Sequence, residues 1–502
     1  MDMNQHRAYR RIGPSTIQNL DSAITPGDSF ITAHCKSIIA ALAPVGAPAL
    51  QPGGCTMLES VFVILAAVAV GWLGHNVPAG SEPGQRTVGE VASLKASDFK
   101  APTTSAQGER TLYAAEMSAL QATLAVPLDP LTDTALPGAL EAVALFNLNP
   151  NLARQHLLAA IPTLAEKSTD YQRQILTGAH TLYWMDAAPV IVQLLPKITT
   201  PKEFAIGAYT VLRAADTAPT RAQLRAQLLA SFPQWEAEPR LIALERRLRA
   251  EPLQDLAARP PLRDLLGAPI RPGFPVVFSF QRKNRENPGL AMVRGADGRF
   301  VRNADGSLFH VAQLAMAKSR LPGTITNGNT PQGLFSIQGT VTATNPWIGP
   351  TPALESKVPK EASVEAFEHA DASTPAVEWD ESRYWSFFPA SWQHYAPVRE
   401  AWLAGLAGRD EMWIHGDTVN PDYYRNERFY PYAPSAGCLV AMEYWSSEDG
   451  TLVQSDQLAI VKAFASTGRL KGFLVVVEVD DRSQPVALAD VFQDVIAAEG
   501  RL

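Results

Sequence analysis

Cysteine is scarce in this chain of 502 residues, which has three, Cys35, Cys55 and Cys438. That is too few for a disulfide scaffold. An excess of positive charge is lacking as well: 43 Lys and Arg stand against 50 Asp and Glu, a net charge of −7. No basic field is available to hold a polyanion, so nucleic acid is not an expected partner. Paired metal-ligand spacings such as Cys-x-x-Cys or His-x-x-x-His do not occur, which counts against a zinc site. A full membrane-spanning run is missing too. Val61 to Gly74 (VFVILAAVAVGWLG) is 14 residues without a charge, short of the roughly 20 that a complete span requires.

Apolar residues are present in quantity, at 46% against 19% charged, which offsets chain entropy and sets wholesale disorder aside. The length implies about three domains. Proline, at 39 residues, indicates many short elements separated by turns.

The apolar run, extended to residues 57–75, reads as a membrane anchor or export signal. Residues 1–56 precede it as a cytoplasmic extension, or as sequence upstream of a second start at Met57. Residues 76–110, rich in Pro, Gly, Ser and Thr, read as an exposed linker. From Thr111 to Leu262 apolar residues recur at helical spacing, with Tyr113, Met117, Leu120 and Leu124 in one stripe and Leu152, His156, Ala160 and Leu164 in another. About eight short helices fit, one of them opened by Thr200-Pro201-Lys202-Glu203 as a capping box. His156 and His180 read as packing residues. After Pro272 the texture turns to strands, at Phe274 to Phe280, around the Val293 to Val301 turn, and at Leu334 to Ile337, Val341 to Thr344, Met412 to His415 and Phe473 to Val479. The aromatic stretch Ala370 to Gly408, with a helix at Val398 to Leu406, reads as a lid or binding loop inserted between strands. The expected fold class is α+β: anchor, all-α domain of stacked short helices at 111–262, β-rich domain at 263–484 with a helical insertion, and a C-terminal helix or tail at 485–502.

Beyond the apolar run only Cys438 remains, and a lone thiol in an exported domain carries oxidation risk without a partner. Ser435-Ala436-Gly437 precedes it, small residues that allow a tight turn and let backbone amides approach a reacting carbonyl. A thiol of pKa near 8.5 needs a base or a positive neighbour to ionise at neutral pH. The leading base is His415, at the end of the strand-like Met412-Trp413-Ile414; His310, His369 and His394 are alternatives.

These segments resemble a known family. Ile414-His415-Gly416 followed by Ser435-Ala436-Gly437-Cys438 is similar to the histidine and the Ser/Thr-His-Gly-Cys signature of L,D-transpeptidase (YkuD-type) catalytic domains. Thr330-Pro331-Gln332-Gly333-Leu334-Phe335-Ser336-Ile337 is similar to their Thr-Pro-x-Gly-x-Phe-x-Ile segment, in the same order. The resemblance covers about residues 272–482. Ala436 stands where the family usually has histidine, and Leu439-Val440 where it has an apolar residue followed by Arg or Asn.

The resemblance implies a β-rich, sandwich-like domain outside the cytoplasm that acts on peptidoglycan stem peptides. Cys438 would be the nucleophile and His415 the base, with backbone amides at Gly416, Gly437 and Cys438 around the oxyanion. Ser435 and Ala436 would line the substrate site. Tyr423, Tyr424, Tyr430 and Tyr432, on the loop between His415 and Cys438, offer a donor to replace the missing histidine. Transfer to an amine would give a cross-link and transfer to water a carboxypeptidase, and no metal or organic cofactor would be required. Other readings are a catalytically silent wall-binding protein whose helical domain recruits a partner protein, and a zinc site of His415, Asp417 and Cys438.

Overall fold

The computed structural model describes residues 85–129, 134–249, 258–371, 373 and 375–500. The expected N-terminal extension and the anchor at 57–75 lie outside the described residues, and no described helix is long and apolar enough to cross a membrane.

The strand-forming runs assemble as an α+β fold. Eight strands form one sheet: β1 (Val276–Arg282), β2 (Gly289–Arg294), β3 (Val311–Gln313), β4 (Gly333–Val341), β5 (Ala353–Lys357), β6 (Ile414–His415), β7 (Leu439–Val440) and, last in the chain, β10 (Gly472–Asp480). Their order is β3-β2-β1-β10-β4-β5-β6-β7, while β8 (Glu443–Trp445) and β9 (Leu452–Ser455) form a separate ribbon. The two edges of the large sheet meet. Leu314, just past β3, exchanges two backbone hydrogen bonds of 2.8 Å with Val440 of β7, so the sheet closes on itself.

Closure gives the sheet an inside and an outside, and the period of two in β1 and β10 serves both. Val277, Leu474 and Val476 face an inner core with Phe335, Ile337, Leu354, Ile414, Leu439 and the helix Asp456–Ala465. Val276, Phe278, Phe280, Phe473, Val475 and Val477 face an outer core. The aromatic insertion supplies that outer core: Tyr384, Trp385, Phe387, Phe388, Trp392, Tyr395 and Trp402 are buried in it. Instead of a lid, the stretch packs as core, because the seven large rings between Tyr384 and Trp402 bury more favourably than they hydrate. The Tyr384 hydroxyl accepts from the Leu334 N–H at 3.2 Å and donates to Val398 O at 2.5 Å, tying the insertion to β4.

Eight α-helices lie between Ala106 and Arg249 among the described residues. One begins at Pro201, as the sequence suggests, but Thr200 makes no capping bond and its hydroxyl is buried without a partner. His180 is buried with Nδ1 at 3.3 Å from Thr210 Oγ1, and His156 Nε2 is 3.1 Å from Leu124 O, which are packing roles. The helical core extends into the strand-bearing half: Leu321 and Ile325, fully buried, belong to it.

Residues 85–110 differ from the linker reading. Thr87 caps a helix at Val88–Ser93 through a capping box, and Val91 enters the inner core. Leu94, Phe99 and Ala101 pack on Trp445, Leu452 and Leu458, and the helix Ala106–Leu124 starts inside the expected linker. Four apolar side chains with distant partners outweigh the turn-rich composition around them.

Candidate active site

The three family-like segments converge at one end of the sheet. Gly333 has φ +131, and a β-carbon there would stand 2.4 Å from the Tyr384 hydroxyl and from Val398 O. This lets the Thr330-Pro331-Gln332-Gly333 turn pass beneath the insertion. Thr330 Oγ1 then donates to Gly437 O at 2.8 Å. Gln332 Oε1 accepts from the Glu478 N–H of β10 at 3.0 Å. The first segment thus holds the turn that carries the thiol.

Strands β6 and β7 run parallel, with Ile414 opposite Leu439 and His415 opposite Val440. Ile414 and Leu439 point inward. By alternation Trp413, His415, Cys438 and Val440 share the other face, and Cys438 packs with Trp413, Val341 and Ala353. Cys438 and His415 are therefore diagonal neighbours on adjacent strands, about 8 Å apart at Cα by strand spacing.

The sulfur is half-buried and turned along β6. Cys438 Sγ accepts from the Trp413 N–H at 3.4 Å and donates to Glu411 O at 3.4 Å. Glu411 holds φ +52, a left-handed conformation rare for its type, and its N–H is held by Glu361 Oε1 at 3.1 Å. Burial pushes the thiol up to about 11, opposed by the Trp413 N–H and the Arg409 charge.

His415 is buried, 3% exposed. Its Nδ1–H donates to Gly416 O at 2.8 Å, which leaves Nε2 as the lone-pair nitrogen. Burial pulls the imidazole down to about 4, so it is neutral at physiological pH and able to accept a proton. His415 makes no hydrogen bond with Sγ. Of the alternative histidines, His310 bonds Leu308 O, His369 bonds Gly472 O and His394 lies against Trp385.

Behind Gly416 sits Glu443. Oε1 accepts from Thr351 Oγ1 and Ser455 Oγ, each at 2.8 Å, while Oε2 is buried without a partner. A β-carbon at Gly416 would stand 2.1 Å from the Glu443 carboxyl carbon, so glycine is required there. Burial raises Glu443 to about 7, and burial followed by the Glu443 charge raises Asp417. Among the described residues no group of three His, Cys, Asp or Glu side chains is disposed to hold a metal ion, and the zinc reading of His415, Asp417 and Cys438 has no ligand set.

The expected oxyanion donors separate. The Gly437 N–H is taken by Ser435 Oγ at 3.0 Å, and Ser435 Oγ donates to Cys438 O at 2.8 Å. The Cys438 N–H has no acceptor among the described residues. At Gly416 it is the carbonyl that is engaged, accepting from His415 Nδ1–H and from the Gly349 N–H at 2.9 Å, which fixes the orientation of that peptide beside the imidazole. Ala436 is exposed beside the thiol.

Two of the four tyrosines are committed to the helical half. Tyr424 OH donates to Leu145 O at 2.6 Å. Tyr423 OH bonds Glu109 at 3.1 Å, and its ring packs with Tyr113 and Phe146. Tyr432 is buried and Tyr430 is 41% exposed.

Sequence reasoning missed Arg409. It is 6% exposed, and its Nη1 donates to Gly323 O at 2.7 Å and to Gly328 O and Asn329 O at 3.1 Å. Its other terminal nitrogen lies against Gly437. No local spacing marks an arginine that three distant loop carbonyls recruit. The comparisons with protein-family models, curated proteins and solved structures returned no match.

Proposed function

We propose that this chain is a cysteine acyltransferase of the L,D-transpeptidase type, acting on peptidoglycan stem peptides in the cell envelope. One observation carries the reading: Thr330, His415 and Cys438, which lie on the three segments that resemble the family, meet through the Thr330 to Gly437 hydrogen bond and the β6–β7 pairing. Three separate sequence matches have no reason to converge on one thiol unless they serve a common site.

In the proposed reaction the Cys438 thiol turns from Glu411 O toward His415, and its proton passes to Nε2 as Sγ forms a bond to the carbonyl carbon at the L-centre of a diamino acid. The open Cys438 N–H donates to the oxyanion. Collapse breaks the C–N bond to the terminal D-residue, which leaves as an amine carrying the proton from His415, and a thioester remains on Cys438. The nitrogen of an acceptor amine then bonds to the thioester carbonyl carbon, the C–S bond breaks, and the amine's proton passes by way of His415 to the sulfur, which regenerates the thiol. With water as acceptor the same pair gives an L,D-carboxypeptidase. The anchor and the export that this location requires rest on residues 57–75. The helical half serves a partner protein in this reading.

The neutral thiol donating to Glu411 O and the exposed Ala436 favour a second reading, a wall-binding protein without turnover. Full-length protein incubated with disaccharide tetrapeptide and analysed by mass spectrometry separates the two. A thioester on Cys438, lost in Cys438→Ala, supports the acyltransferase. Its absence in folded protein that still retains muropeptide supports the binding protein. The released product, dimer or trimmed peptide, identifies the acceptor.

A further inference from the structure

We infer that Arg409 is the counter-charge of Cys438: a positioning residue whose guanidinium, lodged behind Gly437, stabilises the sulfur anion formed when the thiol proton leaves. The inference rests on the acyltransferase reading and adds to it a group that no motif contains.

The geometry carries the argument. Gly437, the residue before the nucleophile, has φ +126, and a β-carbon placed on it would stand 2.1 Å from Arg409 Nη2. The cation therefore touches the backbone of the turn that presents Sγ. It is fixed there, because Nη1 is gripped by the carbonyls of Gly323, Gly328 and Asn329, and Gly328 O itself lies 2.7 Å from the same β-carbon position. No described residue accepts a hydrogen bond from Nη2. A guanidinium only 6% exposed, with one terminal nitrogen anchored and the other unspent, is a fixed positive charge in a largely desolvated site.

The other groups around the sulfur do not substitute for it. Glu411 and Glu361 are carboxylates, and both raise the cost of a thiolate. Asp410 and Glu400 face Arg409 from its own side. The Trp413 N–H, just before β6, is a neutral donor, and His415 is a buried neutral imidazole without a bond to Sγ. Among the groups acting on the sulfur, Arg409 supplies the positive charge. Val440, opposite His415, is apolar, so the cation reaches this thiol from behind the turn and not from the strand that follows it.

The test is the pH dependence of iodoacetamide alkylation at Cys438 in the full-length chain, read on the Cys438 peptide by mass spectrometry so that Cys35 and Cys55 do not interfere. Arg409→Gln keeps amide donors for the loop carbonyls and deletes the charge. It is expected to raise the alkylation midpoint by about one pH unit and to slow alkylation about tenfold below it. Arg409→Lys keeps the charge and is expected to retain the wild-type midpoint. A wild-type midpoint in folded Arg409→Gln overturns the inference, and so does an equal rise in both variants, which would mean packing and not charge. Should the glutamine variant fail to fold, Arg409→Met deletes the charge in its place: a raised midpoint with the lysine variant unchanged supports the counter-charge, and a wild-type midpoint overturns it. Alkylation needs no muropeptide, so an Arg409-dependent midpoint without any thioester from disaccharide tetrapeptide would sink the acyltransferase reading and leave the role of Arg409 standing.

Discussion

Gly437 and Arg409 are packed so closely that a β-carbon on the glycine would stand 2.1 Å from the arginine Nη2 and 2.7 Å from Gly328 O. The glycine also holds φ +126, a conformation that side-chain-bearing residues rarely adopt. Gly437→Ala is therefore expected to displace the guanidinium and the thiol-bearing turn together, at a cost of about 3 kcal/mol. Urea denaturation should show the loss, and alkylation of Cys438 should slow in the fraction that remains folded. A variant with unchanged stability and thiol reactivity would show that the turn tolerates a methyl group and that this contact is not needed.

Leu321 follows β3 in the chain yet lies wholly inside the helical core with Ile325. Leu321→Ala leaves a cavity between the two halves and is expected to destabilise the protein by about 2 to 5 kcal/mol. One cooperative transition at lower denaturant concentration is the expected result. Two separate transitions, with only the helical one shifted, would show that the halves fold independently.

Tyr424 spans the same junction from the other side, with its buried hydroxyl 2.6 Å from Leu145 O. Tyr424→Phe keeps the ring and strands that carbonyl, which costs about 1 to 2 kcal/mol. The melting temperature should fall while the alkylation rate of Cys438 is preserved, since the hydroxyl serves the junction. A slower thiol reaction at unchanged stability would return Tyr424 to the substrate site.

What was legible in the sequence is local. Period-two runs such as Phe473 to Val479 mark strands because each side chain's face follows from its position, and small residues before Cys438 mark a turn. Helical stripes mark the helices for the same reason. What was not legible depends on distant partners. Val91, Leu94, Phe99 and Ala101 look like linker residues until Trp445, Leu452 and Leu458 cover them. The rings from Trp379 to Trp402 announce burial but not its destination, which is the outer face of β1 and β10. At the site, the residue types alone single out Cys438 and His415, and the structure brings them to the paired strands β6 and β7, His415 within β6 and Cys438 just before β7. Arg409 is not singled out, because three loop carbonyls from Gly323 to Asn329 recruit it in space, where no spacing rule reaches.

The carboxyl of Glu443 offers a test through pH. Burial raises it from an ordinary 4.5 to about 7 in the folded protein. Between these values the folded state binds more protons than the unfolded state, so this group makes stability fall as pH rises from about 4.5 to about 7. His415 acts in the opposite sense: burial lowers it from 6.5 to about 4, so its contribution makes stability rise with pH over that window. His180, lowered by burial to about 3, adds to the His415 trend. Near pH 5 to 6 the Glu443 term, about 3 kcal/mol over its range, therefore offsets one of the two histidine terms and makes the wild-type rise shallower. Glu443→Gln preserves the shape beside Gly416 and removes one side of the balance. Its unfolding free energy, measured by urea titration at pH 4.5, 5.5, 6.5 and 7.5, should climb with pH more steeply than that of the wild type, and its deficit relative to wild type should shrink toward pH 7. Parallel curves for the two proteins would mean that Glu443 does not take up a proton on folding, and that its unpartnered oxygen finds compensation as a carboxylate.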